Sequence, residues 1–408
     1  MAKTKLRSCI FCLLAVCYVL SDRFVGGRRI GTMESKRLFR HKGTVKTIEV
    51  ITSLLFQGLV KYLQGKDGDV IDCVDIYQQP AFDHPLLKNH TIQMEPSSIN
   101  PNVTNEEFYD AELFQGLHEN EEYCPEGTIP IRHAREDEYY ANRAIPPAAR
   151  RKNLNVRVNY DTNGHEYAGA SVSGGNYLGA RAFLNVWNPA TNDGDISIAQ
   201  VGLRSGPSDL LNTIEAGWMV NSRDNEPKLF IYWTRDGYKT TGCYNLDCAG
   251  FVQVNRIFAL GSPLKPVSSY NAKQYTIRIS IYKNNGNWWL QVKDQVLGYW
   301  PSSIFTDLAT SASTVSWDGE IYDSGQQAHH TTTQMGSGHF PSEGFGKATY
   351  FRNIQYMDDN GKFNDVETGL EPYATKSECY DIRVAVHKIR GFGTHLYFGG
   401  PGYSATCP

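Results

Sequence analysis

The feature that most constrains this chain is a succession of short runs in which apolar and polar residues alternate with a two-residue period. They follow one another as Leu154 to Tyr160, Ala168 to Ser173, Arg181 to Trp187, Ile196 to Leu203, Ile214 to Val220, Leu229 to Thr234, Phe251 to Ile257, Tyr275 to Tyr282, Trp288 to Val292 and Thr349 to Met357. Such a period puts successive side chains on opposite faces of a strand, and no helical period interrupts the series. Between two of the runs, Asn284-Asn-Gly286-Asn287 carries the residue types of a tight hairpin turn. Strands at this spacing over ~250 residues predict an all-β body, a sandwich of two antiparallel sheets. The 24 tyrosines and 37 glycines agree with strands and tight turns rather than helices.

Two stretches carry acids opposite an apolar face. Within Asn212 to Cys248, Ile214, Ala216, Trp218 and Val220 share one side of a strand, and Glu215, Gly217 and Met219 share the other. Leu229 to Thr234 is aromatic and β-branched enough to pair with it, and the polar, proline-containing segment between them reads as a turn. Further along, Val315, Trp317, Gly319 and Ile321 share one face, which leaves Ser316, Asp318, Glu320 and Tyr322 on the other.

A formal charge of -3 with 20% charged residues leaves no basic footprint, which argues against a nucleic-acid partner. No Gly-x-Ser-x-Gly, P-loop or dinucleotide fingerprint is present. Asp323-Ser-Gly325 matches a tripeptide of the aspartic peptidases, but those need two, and Asp161-Thr-Asn-Gly164 carries an extra residue. His329, His330 and His339 share a Thr- and Gly-rich loop without the carboxylate or cysteine spacing of a metal site. The sequence calls for no metal and no cofactor.

The N-terminus pairs a basic start with an apolar run, Ser8 to Leu20, too short to span a bilayer comfortably. It reads as a secretory signal over residues 1–21, after whose removal no membrane segment is expected. Residues 49 to 63 form an amphipathic helix candidate. Val70 to Tyr77 reads as a short strand, followed by an irregular segment punctuated by prolines. Asn89-His-Thr and Asn102-Val-Thr are glycosylation acceptors. Between Glu106 and Glu138 stand eleven carboxylates against Arg132 and Arg135. Such a block is commonly a solvated segment; its sharper reading is a pH-sensitive contact with the domain that follows. Ile145-Pro-Pro-Ala-Ala-Arg-Arg-Lys152 has the composition of a linker. Six cysteines follow the signal, which permits fifteen disulfide pairings. Position narrows these to Cys73 with Cys124 in the N-terminal part, Cys243 with Cys248 around a short loop, and Cys379 with Cys407 around the C-terminal segment. Tetrahedral zinc is the competing reading of the cysteines, weakened by the lack of a second closely spaced pair.

The residues also carry a resemblance. Thr213-Ile-Glu215-Ala-Gly-Trp218, Phe230-Ile-Tyr-Trp-Thr234, Thr241-Gly-Cys243-Tyr-Asn-Leu-Asp-Cys248, Gly286-Asn-Trp-Trp-Leu290, Gly298-Tyr-Trp-Pro301 and Trp317-Asp-Gly-Glu320 resemble the plant neprosin family. Lys66-Asp-Gly-Asp-Val-Ile-Asp-Cys73 onward resembles that family's activation peptide, although the family runs almost directly from a Thr-Val-Lys-Thr-Ile sequence into Asp-Gly-Asp, so the 49–63 helix reads as an insertion. The resemblance implies a secreted glutamic endopeptidase made as a zymogen, active in acid and cleaving next to proline. It implies a small α+β propeptide domain over 22–150 that inhibits an antiparallel β-sandwich over 151–408. It also implies the pairs Cys243–Cys248 and Cys379–Cys407, and a protein or peptide as substrate. Glu215 and Glu320 become the catalytic candidates. Two carboxyls close together on one sheet face cannot both stay ionised, so the pair holds one proton over an acidic range. Glu320 is then expected to activate water and Glu215 to polarise the scissile carbonyl. The competing classes are a glycosidase, which also uses two carboxylates, a carbohydrate-binding sandwich stacking sugars on Trp288, Trp289, Tyr299 and Trp300, and an interaction protein without turnover.

Overall fold

A computed structural model of the chain describes residues 58–64, 69–97, 111–112, 123–133, 164–223, 225–325, 329–386 and 389–408. The signal at 1–21, the linker at 145–152, the run Leu154 to Tyr160 and Asn102 lie outside them, and of the clustered carboxylates only the Glu126 side chain is described.

The N-terminal part contributes β1 (Leu59–Gln64), β2 (Val70–Asp75), β3 (Ala111–Glu112) and β4 (Thr128–Arg132). There follow β5 (His165–Tyr177), β6 (Gly179–Asn185), β7 (Ile196–Ser205), β8 (Asn212–Asn221), β9 (Lys228–Thr234), β10 (Cys243–Tyr244) and β11 (Val252–Gln253). Next come β12 (Tyr275–Asn284), β13 (Asn287–Val292), β14 (Gln295–Pro301) and β15 (Ala312–Tyr322). The chain closes with β16 (Thr349–Met357), β17 (Phe363–Asp365), β18 (Glu371–Ala374), β19 (Asp381–Val386) and β20 (Thr394–Gly399).

These strands make a small sheet, β1-β2-β4, and two large ones. One runs β10-β9-β8-β7-β15-β5-β18; the other runs β11-β14-β13-β12-β6-β16-β20-β19, with β17 beside β16 and β3 beside β12. Every described pairing is antiparallel except that of β3 with β12. The apolar sets read from the sequence meet between the large sheets, where Val201, Ile214, Trp218, Val315 and Trp317 share one core with Ile277, Ile279 and Leu290. Two tryptophans tie the layers together: Trp218 Nε1 donates to Asn185 O at 3.1 Å, and Trp317 Nε1 donates to Arg181 O at 3.2 Å. Each indole thus buries a large apolar surface while its polar tip is satisfied. The structure is the all-β antiparallel sandwich that the alternation predicts.

The β12–β13 hairpin turns as its Asn-Gly signal requires, with Asn285 at φ 47° and Gly286 at φ 75°. Trp288, Trp289, Tyr299 and Trp300 are fully buried, so the open aromatic face of a sugar-stacking module is not formed by them. The amphipathic helix expected over 49–63 is corrected from Leu59 on. Gly58 at φ 98° cannot continue a helix, and the residues beyond it form β1 against β2. The described N-terminal part is accordingly strands and 3-10 turns. The strand read as Val70 to Tyr77 ends at Asp75, whose carboxylate accepts from Tyr77 N at 2.8 Å and starts a 3-10 turn. Phe251 to Ile257 contributes only Val252–Gln253, because Asn255 Oδ1 accepts from Ile257 N and Phe258 N and curls the chain.

All six described cysteines are joined, as Cys73–Cys124, Cys243–Cys248 and Cys379–Cys407. The last closes a loop of 28 residues, so replacing both its cysteines by serine is expected to lower the unfolding free energy by about 3–4 kcal/mol on chain entropy. Denaturant unfolding of that double variant beside the parent measures it.

Candidate active site

The seven-stranded sheet positions the site, because its second face is polar. The register sets Glu215 of β8 opposite Gly202 of β7, and Glu320 of β15 opposite Ile198 of β7. Residues 198, 200 and 202 have one parity, so both glutamates stand on the same face with β7 and its Gln200 between them. That face turns away from the core that takes Ala199, Val201 and Leu203.

Glu320, 5% exposed, is surrounded by hydrogen-bond partners. Gln200 Nε2 donates to its Oε2 at 3.0 Å, Tyr167 OH donates to its Oε1 at 3.0 Å, and His165 Nδ1 lies 2.7 Å from the same oxygen. The same Gln200 amide donates to Asp318 Oδ1 at 3.0 Å. Asp318, fully buried, also receives Tyr373 OH at 2.5 Å and Arg204 Nη2 at 3.3 Å. A buried carboxylate held by an arginine, a phenol and an amide fixes the amide, and the amide in turn fixes Glu320. Glu215, 8% exposed, accepts from Tyr238 OH at 2.8 Å.

The phenols of Tyr232 and Tyr244 report on both glutamates at once. Burial pushes each well above the ordinary tyrosine value, and the Glu215 and Glu320 carboxylates add to the rise. The two acids therefore act on one electrostatic neighbourhood, and the tyrosines there stay neutral. Glycine allows the strands to close beneath it. A Cβ on Gly217, which pairs with Gln200, would lie 1.9 Å from Ala199 O.

The sequence singles out Glu215 and Glu320 but misses Gln200, His165, Tyr167, Arg204, Tyr238 and Tyr373. A signal for two of them was present. In the run from Ile196, Gln200 and Arg204 fall on the parity opposite Ala199, Val201 and Leu203, which is unusual for a buried strand. The three loop histidines go to separate partners: the His329 ring lies tilted against that of Tyr403 at 4.1 Å, His330 Nε2 lies 3.0 Å from Glu166 Oε1, and His339 Nδ1 lies 2.8 Å from Glu343 Oε1. His330 also adjoins Cys379 and Cys407, but their sulfurs are bonded to each other and are not thiolates. Asn89 is exposed beyond a 3-10 turn.

A β-sandwich with two buried carboxyls sharing one polar face defines the class of site. The chain matches the neprosin family over residues 193–401 and the neprosin activation peptide over residues 62–171. It belongs to the neprosin family and has the organisation of a peptidase zymogen. Among solved structures it is similar to Scytalido-glutamic peptidase bound to a peptide-based transition state analog, with 12% identity, 58% of this chain and 98% of that chain covered, and a TM-score of 0.34. SCP-B, of the Eqolisin family of peptidases, in complex with the tripeptide Ala-Ile-His, matches at 11% identity, 58% and 98% coverage and a TM-score of 0.32. CG-16, a homodimeric agglutinin from chicken liver, matches at 8% identity, 38% and 91% coverage and a TM-score of 0.20.

Proposed function

We propose that this chain is a secreted glutamic endopeptidase that hydrolyses peptide bonds in acid, next to proline, with Glu320 and Glu215 as its catalytic pair. The observation that carries this reading is the common polar face: Glu320 sits among Gln200, Tyr167 and His165, and Glu215 stands across β7 from it. Hydrogen bonds from Gln200 and Tyr167 aim the Glu320 carboxyl, as a base requires. Water loses a proton to Glu320 as its oxygen bonds to the scissile carbon. Glu215, carrying a proton, hydrogen-bonds the carbonyl oxygen and stabilises the negative charge that forms there. Collapse of the tetrahedral intermediate breaks the carbon–nitrogen bond, and Glu320 returns the proton to the leaving amine.

Three disulfides and an exposed glycosylation acceptor at Asn89 fit the secretory pathway. The activation-peptide match reaches residue 171, inside β5. Yet β5 supplies His165 and Tyr167 to Glu320, so the activating cut belongs before His165. Incubation of the acid-treated full chain with a library of proline-containing peptides tests the function. New peptide termini beside proline are expected; release of reducing sugar from oligosaccharides, with no peptide cut, would instead favour the glycosidase reading.

A further inference from the structure

The loop between β9 and β10 is built around one carboxylate. Asp236 Oδ1 accepts from Lys239 N at 3.1 Å and from Thr241 Oγ1 at 2.6 Å, and its Oδ2 accepts from Thr240 N at 3.0 Å and Thr240 Oγ1 at 2.5 Å. Within that knot Gly237 and Tyr238 stand at φ 66° and φ 62°. A tyrosine in this left-handed region is strained, and such strain persists where surrounding contacts over-determine the backbone. Tyr238 N donates to Thr234 Oγ1 at 3.1 Å, Gly237 N donates to Leu211 O at 2.9 Å, and the Cys243–Cys248 disulfide secures the chain just beyond. The loop thereby delivers the Tyr238 hydroxyl to Glu215 Oε1 at 2.8 Å, with Thr213 Oγ1 at 3.4 Å.

We propose that Tyr238 is a positioning residue for the reaction, whose phenol fixes the orientation of the Glu215 carboxyl and the oxygen on which its proton resides. The inference rests on the reading of Glu215 given above. An oxygen that accepts the phenol hydrogen is the carbonyl-type oxygen of a protonated carboxyl. Oε1 in that role leaves the proton on Oε2, which then donates to the substrate carbonyl. Among the described residues, the other charged and titratable groups around Glu215 include Tyr232 from β9, Asp236 from the loop itself, Tyr244 from β10, Glu320 from β15, and Arg204 from β7, which pairs with neighbouring Thr213. Both tyrosines are raised by burial and then by these carboxylates, so neither titrates in an acidic working range.

Acid tolerance is built into the loop. Burial alone would raise Asp236, but the hydrogen bonds from Thr240 and Thr241 overcome it and hold this carboxyl well below the usual carboxylate range. A depressed carboxylate keeps its contribution down to its folded value. The loop therefore holds Tyr238 in place at acidities where ordinary carboxylates are protonated.

The test is steady-state kinetics of Tyr238→Phe, made as the full chain and then activated in acid, on a proline-containing peptide, beside Glu215→Leu and Asp236→Asn. Loss of one hydrogen bond to a carboxyl is expected to lower kcat about ten- to hundredfold with KM little changed. The phenol also stabilises the ionised form of Glu215, so in Tyr238→Phe the basic limb of the pH profile moves to higher pH. A merely structural role would leave that limb in place. Asp236→Asn is expected to reproduce the kcat loss without touching Glu215. Unchanged kcat and an unmoved limb in Tyr238→Phe, with Glu215→Leu inactive, overturns the assignment of Tyr238 alone. An active Glu215→Leu overturns the catalytic reading and this inference with it.

Discussion

Glu320→Gln is expected to lose peptide hydrolysis by a factor on the order of a thousand to ten thousand in kcat/KM, the worth of a positioned general base. An amide cannot take the proton from water, so the loss falls on kcat. It can still fill the volume and accept Tyr167 OH through its remaining carbonyl oxygen, so the fold survives. Its NH2 end then meets the Gln200 amide, which loses one acceptor but keeps Asp318 at 3.0 Å. A destabilisation of about 1–3 kcal/mol follows from that single mismatched contact. Glu215→Gln should be milder than Glu320→Gln, because an amide N–H can still hydrogen-bond the substrate carbonyl, whereas Glu215→Leu removes every donor. Parallel measurement of kcat/KM and circular-dichroism melts checks the series. A folded Glu320→Gln with parental turnover would reject the mechanism.

Alternation alone places Glu215 and Glu320 correctly, because a two-residue period says which side chains oppose Trp218 and Trp317. It cannot say that β7 lies between their strands. Register across strands depends on tertiary pairing, so the link from Asp318 through Gln200 to Glu320 was illegible strand by strand. Tyr238 was harder still, since it comes from a loop whose shape depends on one aspartate collecting threonine and backbone donors. His165 and Tyr167 lie in β5, which the sequence shows only from Ala168 onward. The C-terminal strand β18 was missed for another reason. Glu371-Pro-Tyr-Ala374 has no alternation to read, and it is a strand because β5 offers it an edge. The helix expected at 49–63 is overturned in its described part, 58–63, where Gly58 at positive φ and pairing with β2 outweigh the amphipathic pattern; residues 49–57 lie outside the described residues.

The activation segment is expected to leave its dock as the pH falls, and two histidines give that release its sign. The segment lies on the second sheet: Gln79 exchanges hydrogen bonds with the Gln253 backbone at 2.7 and 3.1 Å, and Ala81 and Leu87 are fully buried in the main core. His84 Nδ1 accepts from Leu86 N at 3.2 Å, which caps the 3-10 turn carrying Leu87, and its ring lies 6.2 Å from that of Trp233. Burial, and then the Arg235 guanidinium, lower its pKa. His90 Nε2 lies 2.8 Å from Tyr299 OH, which accepts from Gln93 N at 3.0 Å and so has its hydrogen to give to the neutral imidazole. Burial lowers His90 too, and pushes Tyr299 up to about 12, so the phenol remains a donor. For a histidine depressed in the docked state, docking is at full strength above the ordinary value of about 6.5 and is lost as pH falls through the docked value. Protonation also removes both acceptors, uncapping the Leu87 turn and breaking the contact with Tyr299. The carboxylates clustered over 106–138 would add to this if they meet basic groups, since they too lose charge in acid. Conversion of the full chain to a ~250-residue product, sized to the sandwich domain, is therefore expected to be much faster at about pH 4 than at pH 7. The double variant His84→Gln, His90→Gln should narrow that difference, because glutamine keeps an acceptor and does not titrate. Equal rates in both buffers for the parent reject the acid switch; an undiminished difference in the double variant assigns the switch to the carboxylates.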